Sequence, residues 1–339
     1  MATRKIDWEG RIGRRVNLRH LHVFFTVVEC KSMAKAAAQL GVSQPTISEI
    51  IADLEHGFGL RLLDRGPHGV EPTIYGGTLF GRIVVIFDEL KQSSRDLEFL
   101  ANPSVGEIRV GFLVSVSATL LVPVIRRFAK QYPQVVIKAD DQPSVPVQLS
   151  ELRARKYDCV FQLLTRSLAD EEDLNVETLF NDQMAVAVNL KNPLASRRRI
   201  ELAHLVDEPW IMTPPGTWNR MRVEEAFNAR GLPVPKPSVV TMSPPMKMQL
   251  MSQGGYVSAF PRALLRAEAD RFGLKELPID LRDQQWPMVV VTLRHRTLSP
   301  IVERFIACAR DIGKSIARNT ERSASGARAP PPGRMRQQG

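Results

Sequence analysis

The chain has 339 residues, 44% of them hydrophobic and 24% charged, with a formal net charge of +10. That length suits two or three domains, and the balance of apolar and charged residues excludes wholesale disorder and fibrous repeats. No run reaches the ~18 uncharged apolar residues of a membrane helix; the nearest, Gly111 to Ile125, is shorter and interrupted by Ser115, Ser117 and Pro123. Arg4, Lys5, Arg11, Arg14 and Arg15 are followed by no apolar block of a secretory signal. Cys30, Cys159 and Cys308 form no CxxC pair and are odd in number, which points to a reducing compartment. The expectation is a cytoplasmic protein with no membrane partner. The charge sits mostly in two tails: five basic against two acidic residues in 1–16, and six basic residues against Glu321 in 312–339. The surplus therefore describes the tails more than a binding face.

Residues 17–65 read as short helices. Leu18, Leu21, Phe24, Phe25 and Val28 recur at helical spacing. Ser32 suits the N-cap of a second helix reaching Leu40, and Gly41 can adopt the left-handed conformation that ends it. Ser43 caps a third helix with Pro45 in its first turn, where a missing N–H costs nothing. Two helices joined by Gly41-Val42-Ser43 form a helix-turn-helix. Leu60–Leu63 and Val70–Thr73, around Asp64-Arg-Gly-Pro-His-Gly69, predict a hairpin wing. A long helix follows from about Tyr75 to Ala101, with Phe80, Ile83, Phe87, Leu90 and Leu97 on a heptad seam that reads as a dimer contact.

From Glu107 strands and helices alternate. Strands at Ile108–Leu113, Val135–Ala139 and Tyr157–Leu163, with helices between, imply parallel pairing with helices on both faces. A second set runs from Met184 to Phe272, and strand Met288–Leu293 and helix Pro300–Arg310 close the folded part. Ser323-Ala-Ser-Gly and Pro330-Pro-Pro-Gly333 read as a disordered tail.

The run Leu18-Arg-His-Leu-His-Val-Phe-Phe, then Lys31-Ser-Met-Ala-Lys-Ala-Ala-Ala-Gln-Leu-Gly-Val-Ser-Gln-Pro-Thr-Ile-Ser48, with Leu54-Glu55, Leu62-Leu-Asp-Arg65 and Pro72-Thr73, resembles the LysR-type transcriptional regulators. The likeness covers about residues 17–312, dense in the first eighty and architectural thereafter. It implies a winged helix-turn-helix and long linker helix before an α/β effector domain, whose two α/β subdomains are like those of type 2 periplasmic binding proteins. The implied order is a basic extension (1–16), a DNA-binding domain (17–74), a linker helix (75–104), an effector domain (105–312) and a basic tail (313–339). Subdomain 1 would take about 105–165 and 284–312, and subdomain 2 about 166–283. Implied partners are double-stranded DNA with a two-fold operator, a small-molecule effector, a second or further copies in a homodimer or homotetramer, and RNA polymerase.

A recognition helix presents its first residues to the major groove. Gln44 can pair bidentately with adenine, Pro45 and Thr46 can touch thymine methyls, and Ser43 and Ser48 can reach a base or phosphate. Ser32 and Lys35 suit the DNA backbone, and Arg65 and His68 suit a wing contact with phosphate or the minor groove. Capping alone would also choose Ser32 and Ser43, and Lys35 and Gln44 can simply be solvated. Two departures from the family pattern are Ala34, where Thr is common, and Glu49, where a basic or amide residue is common.

Open α/β sheets bind ligands beyond the carboxyl ends of their strands. Those positions hold Ser115, Ser117, Thr213, Thr217, Trp218, Ser243 and Phe260. Hydroxyls at helix N-termini suit a carboxylate or another oxygen-rich anion, though capping would choose the same hydroxyls, and Trp218 can either stack on a ring or pack. The chain has no Walker loop, GxSxG or HExxH, so no catalytic residue, metal or cofactor is expected. The alternative is a small-molecule-binding or catalytic α/β protein whose N-terminal module mediates association.

Overall fold

The computed structural model describes residues 16–66, 69–102, 105–164, 168, 171–279, 281 and 285–326, with side chains described through Arg318. His68 lies outside the described residues. The chain forms two compact units that divide between Ser94 and Arg95.

In the first unit, α1 (Leu18–Cys30) starts at Asn17, whose side chain accepts from the His20 amide while the His20 ring accepts from the Asn17 amide. Helix α2 (Met33–Leu40) is capped by Ser32 and ended by Gly41 at φ +66°. Helix α3 (Gln44–Phe58) is capped by Ser43, with Pro45 in its first turn. Phe24, Val27, Ala36, Ile47 and Ile51 are buried among the three helices. Strands β1 (Leu63–Gly66) and β2 (Gly69–Pro72) pair antiparallel, Arg65 opposite Val70. The wing is tied down at both ends: Glu55 Oε1 accepts from the amides of Leu62 and Leu63 at 2.7 and 3.1 Å, and the Val70 amide donates to Lys31 O at 3.0 Å. Thr73 then caps α4 (Ile74–Ala101), its hydroxyl accepting from Gly76 N.

The heptad seam needs correction. Phe80 stacks on Phe25 with centroids 5.3 Å apart, Phe87 meets Phe25 and His22 edge-on, and Ile83 is fully buried in the unit's own core. Ile83 is thus taken up by the chain's own core, whereas Phe80 and Phe87 pack on α1 and stay half-buried. Leu90 and Leu97 are exposed, as are Ile86 and Leu100.

The second unit contains two five-stranded sheets. The first has the order β4 (Gln134–Asp141), β3 (Val105–Phe112), β5 (Cys159–Leu163), β12 (Trp286–Leu293), β6 (Leu174–Asp182). Strands β3, β4 and β5 are parallel, and β12 is antiparallel to both of its neighbours. Helices α5 (Val122–Gln131) and α6 (Val145–Arg153) and the final helix α10 (Pro300–Gly326) cover it. The second sheet has the order β11 (Leu274–Glu276), β7 (Met184–Asn189), β10 (Val257–Pro261), β8 (Trp210–Met212), β9 (Pro237–Val240). Its helices are α7 (Trp218–Asn228), α8 (Pro244–Ser252) and α9 (Arg262–Phe272).

Two sequence expectations change. Strand β6 belongs to the first sheet, so the first crossing between subdomains falls at Asp182–Met184 rather than near residue 165. Residues 313–326, expected as disordered tail, continue α10, where Gly313 packs closely on Leu179. Beside β6, Arg153 bridges Glu171 and Asp173 at 2.6 and 2.7 Å.

Asp182, 3% exposed at the crossing, accepts from the amides of Gln183 and Ala263, the latter in the first turn of α9. Burial pushes its carboxyl up to about 6, against the pull of those amides. An unfolded Asp titrates near ~3.9, so folding favours the protonated form. The stabilisation is complete below about pH 4 and is lost as pH rises through about 6. Asp182→Asn keeps the acceptor and is expected to flatten the fall in Tm across that window. Thermal unfolding of both proteins over pH 4 to 6 checks this, and an unchanged slope would put the titration elsewhere.

Candidate functional site

The first turn of α3 presents Ser43, Gln44 and Pro45 exposed, with Thr46 and Ser48 half-buried beside them. Ser43 accepts from the Thr46 amide at 3.3 Å and shares a 2.8 Å hydrogen bond with its hydroxyl. Capping and outward presentation therefore coexist at Ser43. Ile47, Ile51 and Leu54 bury one face of α3 in the core, and Gln44, at the helix's first position, is exposed at its N-terminal end. Ser32 accepts from the Lys35 amide at 3.3 Å, and the Lys35 side chain is exposed. Arg65 is exposed on β1, one residue before Gly66. Glu49 is exposed on α3 as well. Sequence reasoning missed the anchoring role of Glu55. Its one signal was its place beside Leu54 in the family likeness, and its carboxylate holds Leu62 and Leu63, where the wing begins, to the recognition helix.

In the second unit, Ser115 and Ser117 follow β3, where the expected single helix is broken. A short helical turn at Val114–Val116 passes into a π turn at Ser117–Leu121 before α5. The Ser117 hydroxyl donates to Val114 O at 2.8 Å. Ala118, in the π turn, packs against the second subdomain's core, and the turn as a whole contacts α9, so it lies where the subdomains face each other. At the carboxyl end of β8, the Thr217 hydroxyl lies 2.7 Å from both Pro214 O, to which it can donate its one proton, and Thr213 Oγ1, whose hydroxyl can donate in return. Ser243 caps α8, accepting from Met246 N at 3.3 Å.

Trp218 packs rather than facing an open cleft. Its ring meets Trp286 edge-on with centroids 5.3 Å apart, and it touches the cores of both subdomains. Phe260 is 1% exposed, buried in the second subdomain's core with the Lys247 ammonium over its ring. Phe260 is therefore closed off from a ligand, whereas Trp218 is half-buried where it packs. The structure joins Thr213 to Thr217 by a hydrogen bond, and it puts Ser115 and Ser117 on the first subdomain's facing edge.

A helix-turn-helix with an anchored wing, a long helix and a paired α/β unit define a DNA-binding module joined to a ligand-binding one. The family model described as bacterial regulatory helix-turn-helix protein, lysR family, matches residues 18–77, and that of the LysR substrate binding domain matches residues 101–313. The chain belongs to the LysR family of DNA-binding transcriptional regulators, with a C-terminal effector-binding domain. It is 29% identical over 301 residues to the HTH-type transcriptional regulator GbpR of Azospirillum brasilense, covering 87% of this chain and 86% of that protein. With the HTH-type transcriptional regulator GalR of Pseudomonas putida it shares 27% over 294 residues, covering 87% of this chain and 73% of that protein. A full-length OxyR variant from Pseudomonas aeruginosa shares the fold with a TM-score of 0.60 at 19% identity, covering 89% of this chain and 97% of that one. CbnR in complex with its target DNA does so with a TM-score of 0.50 at 22% identity, covering 88% and 100%. Among the described residues no helix is long and apolar enough to cross a membrane.

Proposed function

We propose that this regulator reads a two-fold operator in the cytoplasm as a homodimer or homotetramer. In this reading it catalyses no reaction and responds to a small-molecule effector bearing an oxygen-rich anionic group, held between the subdomains. The observation that carries the DNA reading is the exposed Ser43-Gln44-Pro45 turn at the start of a helix whose other face is locked in the core. The exposed Ile86, Leu90, Leu97 and Leu100 on α4 support self-association, since apolar side chains spaced along one helix gain by burial against a second copy. Hydroxyls at Ser115, Thr213, Thr217 and Ser243 support the effector reading.

Selection of genomic fragments by the purified chain, followed by sequencing, tests the whole. A two-fold symmetric site retained without residues 327–339 is the expected result, and sequence-blind binding would overturn the reading. On that site Gln44→Ala is expected to cost about 1–3 kcal/mol and to relax preference at one base pair. Arg65→Ala should weaken all sequences alike and lower the salt slope by about 1. Equal losses on specific and random DNA for both variants would contradict that division. For the effector, a metabolite screen should find a compound that changes operator protection, with the response reduced in Ser115→Ala and Thr217→Val.

A further inference from the structure

Lys247 stands in the first turn of α8, where a lysine ordinarily extends its ammonium into water. Here it is 3% exposed. The ammonium donates to Ala259 O at 3.1 Å and lies 4.7 Å from the centroid of the Phe260 ring. The carbonyl satisfies one of three N–H donors. Burial lowers the amine to about 8, and no charged group among the described residues counteracts it. A buried ammonium without a counter-ion is costly.

Its position gives that cost a use. Lys247 lines a narrow cavity with Met212, Thr213, Asn219, Arg220 and Ala259, at the carboxyl ends of the parallel strands β8 and β10. The second cation there is already balanced: Arg220 Nε lies 2.5 Å from Glu224 Oε1, and its Nη1 rests on the Met212 sulfur. The cavity thus holds one unbalanced positive charge, the Thr213 hydroxyl and the Asn219 amide, around space for about one water-sized group.

We propose that Lys247 is the charge-recognising residue of the effector site and takes the carboxylate head of a monoanionic effector, an inference that rests on the effector reading above. Two features select a carboxylate over phosphate or sulfate. One surplus cation balances one negative charge, so a dianion would bury an uncompensated charge. The space also admits a single oxygen more readily than a tetrahedral group. An ion pair at Lys247 removes the cost of holding its ammonium buried, so the bound effector stabilises α8 against β8 and β10.

The test is thermal unfolding of the full chain and of Lys247→Met in formate, formamide, chloride and sulfate at matched ionic strength. Reading each as the difference between the two proteins cancels general salt effects. Formate is expected to raise the wild-type Tm above chloride and formamide, with that rise lost in Lys247→Met. In chloride Lys247→Met is expected to be at least as stable as wild type, because it removes an unbalanced charge. A variant that is less stable or does not fold would show that the ammonium is already satisfied, and would overturn the proposal. No formate rise in wild type, or the same rise in both proteins, would also overturn it, and a larger Lys247-dependent rise with sulfate would overturn the monoanion assignment. The effector reading fails differently, by no metabolite altering operator protection.

Discussion

Replacing Gly76 by alanine is expected to abolish operator binding and to lower the melting temperature of the DNA-binding unit. A Cβ at this position would lie 2.0 Å from Leu62 O and 3.3 Å from Pro72 Cβ. Leu62 cannot yield easily, because its amide is held by Glu55 at 2.7 Å and its carbonyl accepts from Thr73 N at 2.9 Å. Relief therefore has to come from moving the start of α4 away from the wing. Overfilling a packed site typically costs about 1–3 kcal/mol, and contact with backbone puts this case at or above the upper end. Gly77→Ala is the control. Its added Cβ meets nothing within 4 Å, and alanine inside a helix should gain up to about 1 kcal/mol over glycine. Thermal unfolding and operator titration of the two variants check the contrast. Wild-type behaviour of Gly76→Ala would mean that α4 does not start against the wing as described.

Asp158→Ala is expected to cost the effector unit about 3–5 kcal/mol, the usual penalty for removing one member of a buried ion pair. For a unit of this size that lowers Tm by about 6–20 °C. Asp158 is 2% exposed and accepts from the backbone amide and the guanidinium of Arg109, at 2.8 and 2.9 Å, and from Arg296 at 2.9 Å. Arg296 is itself buried, so its charge loses its carboxylate where water cannot replace it. Arg95, at 3.7 Å, brings the last turns of α4 into the same cluster. Hydrogen exchange over residues 95–101 should therefore quicken along with the fall in Tm. A fall in Tm without faster exchange there would restrict the role of Asp158 to the sheet.

The helix-turn-helix was legible because its rules are local. Ser32, Ser43, Pro45 and Gly41 each occupy the only kind of position that suits them, and the caps and the φ of +66° agree. The seam on α4 was misread for a physical reason. A heptad repeat reports that a helix face is covered, not by whom: Ile83 is buried in the unit's own core, and Phe80 and Phe87 meet Phe25 of α1 with part of their surface left exposed. Strand β6 was missed because its burial does not alternate: Leu179 and Phe180 are consecutive and both buried, beside a register shift in β12. Lys247 could not be found from sequence at all. A lysine between two methionines on a short helix reads as solvent-exposed, and only the sheet edges that close over it make it a buried charge.

The place of β12 between β5 and β6 sets an order of events during synthesis. The DNA-binding unit is complete within its first 94 residues, whereas the first sheet of the effector unit lacks its bridging strand until Leu293 has been made. At translation rates of about 5–20 residues per second, that gap lasts about 10–40 s. In that interval a nascent chain carries a DNA-reading module while its sensor is still unassembled. For a fraction of a minute each new molecule carries a finished helix-turn-helix and an unfinished receptor for its signal.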